Sequence, residues 1–531
     1  MTTARNTNSS TLFSGGDCSD CDVVVLPGDT LIINANKTIH NLTIYENATL
    51  KVQDTKTLTV NSLIMRVESD TAAPVINLNN SGAIVLNNDE LYFDMRVDES
   101  RYYWFSLPFE SLLQEVSYAD AASNGKTPVY RTDYWIKFYD GAKRADDANA
   151  GVQDKTYWKH VAPKGGSYTM QAGQGYELMI ADQSEEFFSG QTYNHTKRVV
   201  RFTMKPNVTS WLDLEREIGK VAAVEPSTCS NPLNAVQAGW NLIGNPYMHK
   251  YNTGSVTGES GLRNGAWVQN KGTGYYEVDG ETTTVPYITL YDPKTRTYSQ
   301  RRAENYTLRP FEAFFVQINE GSQINYANPM IRPSLAAAYR RMTEKDKPLY
   351  TGVELTGNGH SDCTGIVLYD EYSLDYRTGE DLVKWSNTGA LNLFTINGYG
   401  QPLAFNGLSD DDAIAPIPVG VEFPEDGTYT FAFDAKQYSL NALNSLQLID
   451  YKTNITTDLL FSNYEFQANE GTVNDRFALL VRRAKNHQDV TTDLDNISNG
   501  SADNTRKIIR DGQLFILRDG KIFNAVGIEV K

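Results

Sequence analysis

The run VVVLPGDTLIIN (residues 23–34) is followed by KTIHNLTIYENATLKV (37–52), KTLTVNSLIMRV (56–67), APVINLN (73–79) and GAIVLNNDELYFDM (82–95). Apolar residues alternate with Thr and Asn, the period of two by which a strand sends successive side chains to opposite faces. Val23, Val25, Leu31, Ile33, Leu42, Ile44, Leu50, Val52, Leu58 and Val60 are thereby expected on inward faces. Strands recurring about every 8–12 residues fit the rungs of a short β-solenoid over 23–98, with an antiparallel meander as the alternative. Residues 1–22 read as an N-terminal tail.

The rest of the chain repeats the theme. At 531 residues it is too long for one core and is expected to divide into roughly three to five modules. The 31 Tyr, 21 Phe and 7 Trp, with frequent Thr, suit pleated half-buried surfaces, and 39 Gly and 19 Pro supply turns. The fold class expected is all-β: the solenoid or meander, then several antiparallel β-sandwich modules. A formal charge of −17 repels phosphate backbones and anionic bilayers, so no nucleic-acid partner is expected. No run of about 18 apolar residues marks a membrane span.

Residues 99–335 contain a degenerate internal repeat. The first copy, a β-module over 99–226, opens with YYWFSLPFE, continues through DYWIKFYDGAKR and closes with SYTMQAGQGYELMI. The second, over 227–335, opens with GWNLIGNPY, continues through YITLYDPKTRTY and closes with NYTLRPFEAFFVQI. Each is an aromatic–apolar strand ending at Pro, a strand ending in Tyr-Asp, and a Gly/Pro–aromatic closing strand. PSLAAAYRRMTEKDKP (333–348), rich in helix formers and bounded by proline, reads as a helical connector. Nine strand-like runs follow in 349–484, separated by signals such as GNGH, PEDG and NEGT, as in a two-sheet sandwich. Residues 485–505 are polar, small and aperiodic, a flexible linker by composition, and 506–531 form three short strands.

Catalytic signatures are absent from the sequence. Cys18 and Cys21 form a CxxC among aspartates and before a strand, where redox thiols are not lowered in pKa; a local disulfide fits better. The six histidines show neither HExxH nor i, i+4 ligand spacing, and no GxSxG occurs. His360 and Cys363 are neighbours in GNGHSDC, which reads as a surface turn. The one acidic cluster considered for calcium, Ser409-Asp410-Asp411-Asp412, lacks the alternating ligand spacing and turning Gly of an EF-hand, so no cofactor is expected. Aromatic residues remain. Trp104 and Trp240 are read as matching core positions of the two copies. Trp158 and Trp267, in loop-like contexts, are the candidate ligand-binding aromatics, since flat rings stack on sugars and anchor protein interfaces.

The C-terminal residues Asp511-Gly512-Gln513-Leu514-Phe515-Ile516, Arg518-Asp519-Gly520-Lys521, Phe523-Asn524 and Gly527 through Val530 resemble the sorting segments of Bacteroidota proteins exported by the type IX secretion system. GWNLIGNPY and LRPFEAFFVQ resemble phrases of such passengers, and 349–484 is similar to the sandwich that often precedes the signal, including Tyr464-Glu465-Phe466 and Asp475-Arg476-Phe477. Full sorting domains are usually complete sandwiches, and this tail is shorter. The resemblance implies the type IX machinery as a partner, and an extracellular or outer-membrane-surface location. It also implies a Sec signal that MTTARNTNSS does not supply, so the chain reads as a mature form. The function expected is non-enzymatic: an adhesin, binding module or structural component of an extracellular assembly. Its partner would be a glycan, a host-matrix protein, another surface protein or a second copy. The alternative is a secreted glycan-active or peptide-active enzyme, or the non-catalytic end of one.

Overall fold

The inward alternation of the N-terminal runs is realised as two parallel sheets. The strands Cys18–Val25, Lys37–Tyr45, Thr57–Val67 and Ala83–Val97 pair in parallel in that order. Thr30–Ile33, Thr49–Val52 and Val75–Leu78 form the second parallel sheet. Parallel register stacks like on like: Leu42 beside Leu63 beside Leu91, and Leu31 beside Leu50 beside Ile76, all buried. The region is therefore a β-solenoid and not a meander. All ten expected inward residues are buried. Cys21 is disulfide-bonded, whereas Cys229 and Cys363 carry free thiols.

These strands belong to a computed structural model that describes residues 18–68, 73–78, 82–98, 101–119, 127–152, 157–181, 198–206, 220–252, 275–278, 281–284, 287–303, 306–318, 323–326, 348–370, 372–410, 413, 415–438, 443–483, 505–510, 513–518 and 521–524. Most of the expected connector at 333–348 and of the linker at 485–505 lies outside them. The chain divides into two compact units, one of residues 1–230 and 237–340, the other of 231–236 and 341–531. Among the described residues no helix is long and apolar enough to cross a membrane.

The expected boundary at residue 98 falls inside a sheet. The last solenoid strand, Ala83–Val97, pairs antiparallel with Arg198–Lys205, which continues to Glu110–Leu112 and Thr169–Met170 in an eight-stranded sheet. A bare final rung would present a row of unpaired backbone groups, and the repeat region covers it. The junction is pinned by fully buried Asp94, which accepts from Arg201 Nε at 2.6 Å and Nη2 at 2.7 Å. Both repeat copies lie in the first unit.

The internal repeat is structural. The first copy's sheet runs Tyr103–Ser106, Gly175–Ile180, Tyr134–Tyr139, Trp158–His160; the second runs Trp240–Gly244, Ala313–Gln317, Tyr287–Asp292, Thr297–Arg302. Strand order and antiparallel sense are the same. Register makes Ser106 equivalent to Gly244 and Trp104 to Leu242, so the counterpart of Trp240 is Tyr102. The pairing of Trp104 with Trp240 read from sequence is thus displaced by one alternation. One element was not anticipated: after Tyr139 the chain turns into the helix Gly141–Asn149, whose N-cap Asp140 accepts from Lys143 N at 2.9 Å.

In the second unit all nine expected runs contain strands, joined by the two-residue strand Leu382–Val383 and by Ile455–Asp458 into an eleven-stranded hydrogen-bonded sheet. Val353, Leu355, Ile366, Val419, Phe431, Leu448 and Leu479 share its core. The turn near GNGH is at Asn358 and Gly359, both with positive φ, and His360 already opens the strand His360–Leu368. His360 and Cys363 therefore lie on one strand, correcting the surface-turn reading; three positions apart, they point to opposite faces. Cys363 accepts from Gln437 Nε2 at 3.3 Å, and burial pushes its thiol up to about 11. Of the acidic cluster, Asp410 lies 3.5 Å from Arg483, while Asp411 and Asp412 are outside the described residues.

Thr505–Arg510, Gln513–Arg518 and Lys521–Asn524 make a three-stranded antiparallel sheet. Gln513 and Leu514 of the sorting-like segment open its middle strand; Asp511, Gly512, Asp519, Gly520 and Gly527 lie outside the described residues.

Candidate ligand-binding site

The two repeat copies meet with reciprocal contacts. Phe105 bridges to Glu312 and its equivalent Ile243 bridges to Gln174; Ser106 N donates to Phe311 O at 3.0 Å and Gly244 N to Gly173 O at 2.9 Å. Each contact has its partner under exchange of the copies, which is what a twofold relation requires. The closing turn has positive φ in both copies, at Gly173 (72°) and at Phe311 (64°). Glycine adopts this region freely, whereas Phe311 is held there with its ring stacked on Phe93 at 3.8 Å, against the end of the solenoid.

Chemistry breaks the symmetry. In one half of the interface Phe315, 1% exposed, sits among Tyr139 (4.7 Å), Trp104 (4.9 Å), Trp158 (5.9 Å) and Trp240 (6.0 Å). Trp240 is also buried, with the Arg144 guanidinium 5.2 Å from its ring centroid. This half is closed by the helix Gly141–Asn149: a Cβ on Gly141 would lie 1.7 Å from Trp240 O. Trp158 belongs here, half-buried and edge-on to Tyr139, so it is part of an aromatic layer and not an isolated platform. Trp267 is outside the described residues.

In the other half the position of Phe315 is taken by Glu177, as the pairing of Glu177 with Trp104 and of Phe315 with Leu242 shows. Tyr291 and Tyr298, cross-strand partners, replace Tyr139 and Trp158; Tyr102, 40% exposed, replaces buried Trp240. Trp104 leans on Tyr291 at 5.0 Å and Tyr298 at 5.9 Å, and its indole N–H donates to Glu177. Lys137 Nζ lies 3.7 Å from Glu177 and 5.5 Å from the Tyr102 ring centroid. Trp104, Tyr291 and Tyr298 are half-buried, as Tyr139 and Trp158 are; this half is open at Tyr102, where the other is sealed by buried Trp240. A cavity of about 60 Å³ adjoins it, lined by Trp104, Tyr291, Pro293, Arg309 and Glu312 over an apolar floor of Val67, Phe93, Met95 and Phe311.

Burial pushes Glu177 up to about 7, with Lys137 and the Trp104 hydrogen bond opposing it. Between the ordinary carboxylate range and that value, the folded protein holds a proton that the unfolded chain has released. Stability therefore falls as pH rises from about 4.5 to about 7, by about 3 kcal/mol at most, and stays lower above that. Glu177→Gln is expected to flatten this slope, melting above wild type at pH 8 and close to it at pH 5. Parallel melting curves of the two proteins from pH 5 to 8 would refute the assignment.

Sequence reasoning missed Glu177, Lys137, Tyr102, Tyr291 and Tyr298. The signal was present: aligning GQGYEL (173–178) with FEAFFV (311–316) sets Glu177 against Phe315 at one position of a shared strand. No curated protein and no solved structure matches the chain. Residues 17–481 match the family described as a domain of unknown function, DUF8693, and the chain belongs to that family.

Proposed function

We propose that this is a non-enzymatic protein exported across the outer membrane by a type IX system and held at the cell surface or released there, serving as an adhesin or binding module. The observation that carries the reading is the separateness of the C-terminal strands. Among the described residues they pair with one another in a three-stranded sheet, and the family match stops at residue 481, before them. A portable terminal module of this kind fits a sorting tag appended to a conserved passenger. The disulfide at Cys21 fits an oxidising compartment.

Deleting residues 505–531 is expected to abolish surface display, read by antibody binding to intact cells, while the remaining chain keeps its melting temperature. Unchanged display would sink the export reading. The rival, a glycan-active enzyme, draws on Glu177, since a carboxyl held near neutral pKa by burial suits a general acid. Released product from any bound glycan would favour that rival.

A further inference from the structure

The twofold relation supplies an internal comparison that isolated proteins lack. Two equivalent surroundings, built by the same strands in the same order, differ in what fills them. One carries Phe315 under a helix, with Trp240 buried; there packing alone explains each residue. Its counterpart carries Glu177, 6% exposed, with Tyr102 open to solvent. A phenylalanine would fit this strand position, as the second copy demonstrates, so packing does not ask for a carboxylate. Departures from local packing rules concentrate where a protein does something else.

The groups present restrict what that something is. An anion entering the open half meets Glu177 and a chain of formal charge −17. A cation finds its place taken, because Lys137 already lies against both the Tyr102 ring and Glu177. A neutral ring suits what remains. Its hydroxyls can donate to the Glu177 carboxylate and accept from the Lys137 ammonium, and its C–H faces can lie on Trp104 and Tyr291. The adjoining cavity adds the Arg309–Glu312 pair, with Nη2 and Oε1 at 2.7 Å, a further donor and acceptor beside those rings.

We infer that the cleft of Tyr102, Trp104, Tyr291 and Tyr298 over the Glu177–Lys137 pair binds a pyranose ring of a neutral glycan. This rests on the surface-binding reading only for where the glycan is met. The test is calorimetric titration of the full chain with neutral oligosaccharides of glucose, mannose, galactose and N-acetylglucosamine. Sialyllactose and a trimethyllysine peptide serve as charged comparators. At least one neutral probe is expected to bind, with Tyr102→Ala and Trp104→Ala each weakening it by about tenfold, the effect of losing one stacked ring. Tyr102 is exposed, so its variant keeps the test valid if the Trp104 variant fails to fold. The proposal is overturned if no neutral probe binds, if a charged comparator binds in their place, or if Tyr102→Ala leaves binding unchanged. A chain that is displayed but binds no neutral glycan fails here alone, whereas loss of the export reading is decided by the tail deletion.

Discussion

Asp450→Ala is expected to lower the stability of the C-terminal sandwich by roughly 3–5 kcal/mol, the cost of stranding a buried charge. Asp450 is fully buried and accepts from Arg476 Nη2 at 2.8 Å, Arg476 Nε at 3.1 Å, Tyr464 Oη at 2.7 Å and Lys452 N at 2.9 Å. The guanidinium of Arg476, itself nearly buried, lies 4.8 Å from the Phe466 ring centroid and 4.7 Å from that of Phe477. Removing the carboxylate leaves that cation between two aromatic rings with no counter-ion. Hydrogen exchange of the full chain should show the loss as reduced protection in Leu443–Asp450 and Gly471–Arg483, the strands that Asp450 and Arg476 join. Protection within about 1 kcal/mol of wild type would mean the pair is dispensable.

The same cluster sets an acid limit. Burial alone would raise the Asp450 carboxyl, but the Arg476 and Tyr464 hydrogen bonds outweigh it and hold the group at about 2. Its contribution is therefore complete above the ordinary aspartate value, near 3.8, and is lost as pH falls through about 2. Tyr464, Phe466, Arg476 and Phe477 thus act together, holding one buried ion pair in place.

Gly244→Ala is the second large effect, expected at roughly 3 kcal/mol from overpacking. Gly244 and its equivalent Ser106 face each other where the two copies meet. A Cβ on Gly244 would fall 2.0 Å from Ser106 Cβ, 2.5 Å from its Oγ and 2.8 Å from Glu312 O. Two strands would have to move apart, and the reciprocal hydrogen bonds of Ser106 N and Gly244 N with them. The Ser106 hydroxyl has no hydrogen-bond partner among the described residues, so adding Ser106→Gly removes the main obstacle without breaking a bond. The double variant should recover most of the loss, the non-additivity expected of touching residues. Urea unfolding of the four proteins measures it; a fully stable Gly244→Ala would show that the copies do not pack this closely.

The second variant also shows where sequence reading stops. Period-two alternation marked the inward residues of the solenoid, the nine runs of the sandwich and the ordered landmarks of both repeat copies, because a strand's two faces are a local property of the chain. Alternation is silent on which strand lies alongside and in which direction. For that reason the spacing of residues 23–98 pointed to solenoid rungs but left an antiparallel meander open, and the pairing of Ala83–Val97 with Arg198–Lys205 was not visible. The helix Gly141–Asn149 escaped notice because it is short and follows a strand directly. Glu177 was one of 65 acidic residues until a face-to-face packing set it where Phe315 stands in the other copy. By itself the sequence determined strand identity, burial pattern and the order of the repeat. Only the tertiary structure decided partner, direction and the meeting of the copies, since those depend on contacts between residues well separated along the chain, from Leu42 beside Leu63 to Phe105 bridging Glu312, whose energies no local pattern encodes.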